Sequence, residues 1–139
     1  MLADVDAGFT RIYGTYLADG VGPAMEVFMS VTGLGGTSER MPEPPPEAMA
    51  GMMKNLEFFL GSMMGPMQDH RVDERVATLP VVIALGEESE GQLAHRTAAA
   101  LADSLALKPM TFPGDHGGFT THPEEFARRM REAFASVER

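Results

Sequence analysis

The sequence predicts an α/β protein dominated by helices. Residues 1–70 form a helical first half, and residues 71–139 a strand–helix–strand–helix segment with two short parallel strands. Three observations carry this reading. Apolar residues recur at three- and four-residue steps through the first half, without strand-like alternation. "LPVVIAL", Leu79 to Leu85, is then an unbroken, β-branched run of strand length. "KPMTF", Lys108 to Phe112, is a second such run beyond a helical stretch, the pattern of a parallel βαβ crossover.

Each element has its own signal. Val5, Phe9, Ile12, Tyr13 and Tyr16 share one face of a helix from Ala3 to Asp19, which Gly20 stops. Pro23 suits the first turn of a second helix, where its missing N–H costs nothing, and Val27, Phe28 and Val31 line that helix until Gly33. "LGGTSERMPEPPP", from Leu34 to Pro46, holds too much glycine and proline for regular structure and is expected to be a loop. A third helix starts at Glu47, carries Met49, Met52, Met53, Leu56, Phe59, Leu60 and Met63, and breaks at Gly65-Pro66. Beyond the first strand, Ser89 and Gln92 have capping-box spacing for a helix with Leu93, Thr97, Leu101 and Leu105 on one face. Thr121 and Glu124 have the same spacing for the last helix, whose inward face is Phe126, Met130, Phe134 and Val137.

Composition excludes several classes of function. The formal net charge is -9, from 20 acidic and 11 basic residues, and no Lys/Arg cluster focuses the positive charge. Nucleic acid and anionic membranes would repel such a surface. There are no cysteines, so disulfides, thiolate zinc sites and a cysteine nucleophile are absent together. No apolar run approaches membrane-spanning length, and no basic segment introduces an export signal. The expectation is a soluble, cytoplasmic protein with no cofactor.

Chemistry in open α/β sheets gathers in loops at the carboxyl ends of parallel strands. Two such loops are expected on one sheet edge: "GEESEG", Gly86 to Gly91, and "PGDHGG", Pro113 to Gly118. The second puts a single imidazole, His116, in a turn framed by three glycines, a costly setting for a residue without a task. With Glu87 or Glu88 beside it, His116 has the makings of a general base, because a carboxylate fixes the tautomer and stabilises the imidazolium. Asp115 is more simply a brace for the turn. Gly114, Gly117 and Gly118 should include at least one residue with positive φ.

The pairing of "LPVVIALGEES" with "FPGDHGGFTTHPEEFA" resembles the carboxyl-terminal end of an α/β-hydrolase, over roughly Ala77 to Val137. The resemblance implies that the chain is a fragment of that doubly wound fold. The helical first half would be its lid, and the last two strands would lead to the triad acid and the catalytic histidine, His116. The implied reaction of a complete parent is ester or related acyl hydrolysis, with a small ester as substrate. Two features depart from the family. Its G-x-S-x-G nucleophile elbow occurs nowhere in the chain, so the chain alone is expected to be inactive. The acid of the family falls three residues after the glycine that ends the penultimate strand, where this sequence has Ser89. The acid is then Glu87 or Glu88, comes from the part outside the chain, or is absent.

Other candidates carry less. His116, His122 and Asp115 match no usual metal-ligand spacing, so no metal site is expected. His70 and His95 are simplest as surface residues. Gly33, Gly35 and Gly36 lack the strand and the G-K-[ST] of a phosphate loop. Seven of the 12 methionines lie between Met41 and Met67. Core filling is their simplest role. The sharper one makes Met52, Met53 and Phe59 the substrate-binding face of an adaptable acyl pocket. The competing class of function is a non-catalytic helical interaction module derived from the same fold. An in-frame G-x-S-x-G upstream of Met1 would favour the enzyme over the module. With only one neighbour in the sheet, "LPVVIAL" leaves an apolar edge that invites a homodimer with residues 81–84 near the axis, or else the amino-terminal half of the fold.

Overall fold

The computed structural model of the chain describes residues 2–34, 45–65 and 72–137. The fold is α/β and helix-dominated, with one small parallel sheet. Contacts divide it into two compact units, Met1–Arg71 and Val72–Arg139. Most of the Gly/Pro-rich stretch after Leu34, together with His70, lies outside the described residues.

The first unit contains α1 (Leu2–Asp19), α2 (Val21–Thr32) and α3 (Pro46–Phe58), the last running into a π-helical turn at Phe59–Met63. The apolar faces of α1 and α2 meet, and Gly8 lets them approach closely: a β-carbon there would lie 2.7 Å from Val31 Cγ1. Ile12, Ala24, Leu60 and Met64 are fully buried at the centre. Phe28 and Phe59 meet edge to face beside them, with centroids 5.7 Å apart. Gly33 ends α2 in the left-handed region at φ 77°, donating its N–H to Met29 O. Gly33→Ala should therefore cost about 1 kcal/mol in urea unfolding, since a β-carbon is disfavoured at that φ. An unchanged midpoint would contradict the cap.

α3 itself has no buried residue. Met52 and Met53 are 45% and 40% exposed, so core filling does not describe them, whereas Met64 is sealed. The periodicity of the segment is real, but the core takes only its carboxyl-terminal end, Leu60 and Met64, four residues apart.

The second unit opens with a short 3₁₀ turn, Glu74–Thr78, capped by Asp73, whose carboxylate accepts from Arg75 N and pairs with the Arg75 guanidinium. It continues through β1 (Ala84–Gly86), α4 (Leu93–Ser104), β2 (Met110–Phe112), the single turn α5 (Gly118–Thr121) and α6 (Pro123–Val137). β1 and β2 are parallel, in the register Ala84↔Met110, Leu85↔Thr111, Gly86↔Phe112. Both strands are shorter than the apolar runs that predict them. The chain is still closing α4 at Leu107, whose N–H bonds Ala102 O, with Ala106 at φ 53°. β2 therefore starts late, and β1 is paired only where β2 is present.

Neither predicted capping box forms. Gln92, not Ser89, stands at the amino end of α4. The bond from Phe126 N–H to His122 O makes His122, not Thr121, the residue that opens α6. Pro123 takes the first position of α6, where it needs no N–H partner. On α4 the buried residues are Leu93 and Ala102, while Thr97 is exposed and its hydroxyl turns back to Leu93 O. On α6, Phe126 packs against Phe112 with centroids 5.0 Å apart and Ala133 is buried, but Phe134 is 60% exposed. The predicted inward face of α6 is thus only partly covered.

Candidate functional site

The two strand-end loops meet through their backbones. Beyond β1, Glu87 N–H donates to Phe112 O at 2.9 Å, and Glu88 N–H to Gly114 O at 3.0 Å. Gly86 makes this approach possible, because a β-carbon on it would lie 2.7 Å from Gly114 O and 2.8 Å from Asp115 O. The turn after β2 is built the same way. Gly114 adopts φ 75°, the positive value that the sequence requires of one of the three glycines. Gly118 packs so closely that a β-carbon would fall 2.1 Å from Pro113 O.

Asp115 braces this turn. Its Oδ1 accepts Gly117 N–H at 2.7 Å, an Asx-type closure, and its Oδ2 accepts from Gln92 Nε2 at 3.5 Å. That longer contact joins the start of α4 to the histidine turn. Gln92 is buried, and its Oε1 has no hydrogen-bond partner among the described residues.

His116 stands exposed at the tip of the turn. Glu87 and Glu88 are exposed beside the first strand, and no hydrogen bond joins either carboxylate to the imidazole. The fold thus brings the two loops together but leaves the histidine and its candidate acids unbonded. Such an arrangement leaves the imidazole open to solvent. It does not by itself contain an activated nucleophile.

Ser89 and His95 form a contact that the sequence did not suggest, with Ser89 Oγ 3.0 Å from His95 Nδ1. His95 is half-buried rather than a plain surface residue. The Ser89 hydroxyl also donates to Gly86 O at 2.7 Å, and a carbonyl can only accept. With its one proton used there, Ser89 accepts from His95 Nδ1–H. That polarity is opposite to a nucleophile–base pair, and Ser89 is only 2% exposed. The pair holds the loop after β1 in shape. A six-residue spacing across a turn and a helix start gives no sequence signal for it.

A polar cleft of about 220 Å³ opens beside Glu87, lined also by Thr111, Glu125, Arg128 and Arg129. Its arginines are already engaged. Arg129 Nε donates to Thr111 O at 2.8 Å, and both Arg128 and Arg129 pair with Glu132. The Arg129 hydrogen bond, ahead of the other contributions, holds the exposed Glu132 carboxyl below the usual carboxylate range. Among the described residues no three His, Cys, Asp or Glu side chains are placed to hold a metal. Nor, among them, is any helix long and apolar enough to cross a membrane.

The remaining candidates belong to the first unit. Met52 and Met53 lie exposed on α3, and Phe59 packs against Phe28 beside the core. No protein-family model matches the chain, and no curated protein matches it in sequence.

Proposed function

We propose that residues 72–137 are the histidine-bearing end of an α/β-hydrolase-type catalytic sheet, acting in ester or related acyl hydrolysis. His116 is the proton-relaying group, Glu87 or Glu88 is the acid that orients it, and the attacking serine lies outside this chain. One observation supports this reading above the rest: parallel strands whose carboxyl-terminal loops are locked backbone to backbone, with an exposed histidine at the tip of the second. In open α/β folds this edge is where reacting groups converge. Gly114 and Gly118, which admit no side chain, fix the backbone from which that imidazole projects, the first requirement for a positioned proton-transfer group.

The nucleophile is not within the chain on this reading. The buried Ser89 donates to a carbonyl, and no G-x-S-x-G occurs. The 139-residue chain should therefore hydrolyse an activated ester such as p-nitrophenyl acetate no faster than its free histidines allow. His116→Ala should lower that rate only by one histidine's share. Without a positioned hydroxyl and oxyanion donors, an imidazole keeps little of a triad's advantage. Saturable hydrolysis by the chain alone, lost in Ser89→Ala, would contradict the assignment of the nucleophile.

A further inference from the structure

The second unit carries an unpaired strand edge beside an uncovered apolar groove. Met110 N–H bonds Ile83 O at 2.8 Å, and Glu87 N–H bonds Phe112 O. With the parallel register of β1 and β2, these bonds direct the backbone groups of residues 83, 85 and 87 toward β2. The N–H and C=O of Val82 and Ala84 therefore point the other way, to an edge where no strand is paired among the described residues. The side chains of the same two residues line a groove of about 300 Å³ with Pro80, Phe112, Met130 and Phe134. Phe134 and Met130 remain 60% and 39% exposed along it, and Leu79 59% exposed near its start. An edge of this kind is a template for another strand.

We infer that two copies of this chain pair antiparallel through the free edge of β1, about a two-fold axis at Ile83. Three observations select a second copy as the occupant. The edge is self-complementary. With Ile83 facing Ile83, Val82 of each copy meets Ala84 of the other as a hydrogen-bonded pair, so all four outward backbone groups on each copy find partners. In that register Pro80 falls only at the end, opposite Gly86, whose carbonyl already accepts from Ser89, whereas centring on Val82 would oppose Ala84 to Pro80, which has no N–H. Second, no charged side chain lines the groove, so the net charge of -9 that opposes self-association elsewhere is not concentrated there. Third, a two-fold perpendicular to the sheet keeps Val82 and Ala84 of both copies on one face. Each copy's α6 then lies on that same face, where Met130 and Phe134 of the two copies cover one another. The contact is isologous and closes at two subunits. It does not rest on the hydrolytic reading, in which an amino-terminal half would take the same edge; the dimer is the state of the chain without that half.

Light scattering on the intact chain should give twice its 15.0 kDa mass at high concentration, with dissociation on dilution. The chain has no cysteine, so single-cysteine variants report the register cleanly. Ile83→Cys should form a disulfide-linked dimer under mild oxidation, because non-hydrogen-bonded antiparallel partners have α-carbons about 4.5 Å apart. Val81→Cys, which meets Leu85 of the other copy, should not cross-link to itself. Phe134→Lys changes a residue already exposed in the single copy, and should weaken dimerisation at least about tenfold while leaving the circular dichroism spectrum unchanged. A monomer at every workable concentration would overturn the inference and leave the edge to a strand from another protein. A dimer that resists Phe134→Lys, or that cross-links through Val81→Cys but not Ile83→Cys, would overturn it as well.

Discussion

Gly118→Ala is expected to destabilise the chain by about 3 kcal/mol, far more than the loss of backbone freedom at a glycine explains. A β-carbon there would sit 2.1 Å from Pro113 O, and the backbone on both sides is tied down. Gly118 N–H bonds Asp115 O at 3.1 Å, and Gly118 O accepts His122 N–H at 2.8 Å, so relief of the clash breaks the turn or detaches α5. Gly86→Ala meets the same problem from the other loop, against the Gly114 and Asp115 backbone, and should cost about 2 kcal/mol. Gly117→Ala is the control. Its φ is -98°, and the nearest atom to an added β-carbon is Asp115 Oδ1 at 3.4 Å. It should change stability by no more than about 0.5 kcal/mol. Urea unfolding of the intact chain measures all three. Equal midpoints for Gly118→Ala and Gly117→Ala would mean that the two loops are not locked as described.

The contrast among these glycines shows which parts of the protein its sequence makes legible. Five of the six helices among the described residues, the parallel strand pair and the position of His116 in a strand-end turn follow from periodicity and turn chemistry, which act over a few residues. Composition also predicts that one of the three turn glycines takes positive φ, and Gly114 does. Which glycine must lack a side chain for steric reasons depends on contacts between segments distant in sequence. Gly86 against Gly114 is such a contact, and no local pattern encodes it.

The misreadings have the same origin. Ser89 has the spacing of a capping residue, but Gly86 O and His95 offer it better partners, and α4 starts at Leu93 instead. Phe134 belongs by periodicity to the apolar face of α6, yet the two-stranded sheet is too narrow to cover it. The run from Leu79 to Leu85 has the apolar character of a strand buried on both faces, yet among the described residues only Ala84 and Leu85 of it pair with β2. Periodicity reports what a segment is suited to bury, not whether a partner is present.

The most direct measurement of the functional proposal supplies what that proposal places outside the chain. The chain is expressed together with a nucleophile-bearing amino-terminal half of an α/β-hydrolase sheet, and ester hydrolysis is followed. Activity should appear only when both parts are present. His116→Ala should then reduce kcat by about 10⁴-fold or more, the scale on which a triad loses its base. Glu87→Gln and Glu88→Gln should separate, the true acid showing a loss of orders of magnitude and the other little change. His95→Ala and His122→Ala should leave kcat within a few-fold, apart from any loss of folded protein measured alongside. Reconstituted activity that survives His116→Ala, with the chain folded, would contradict the proposal that this turn carries the catalytic base.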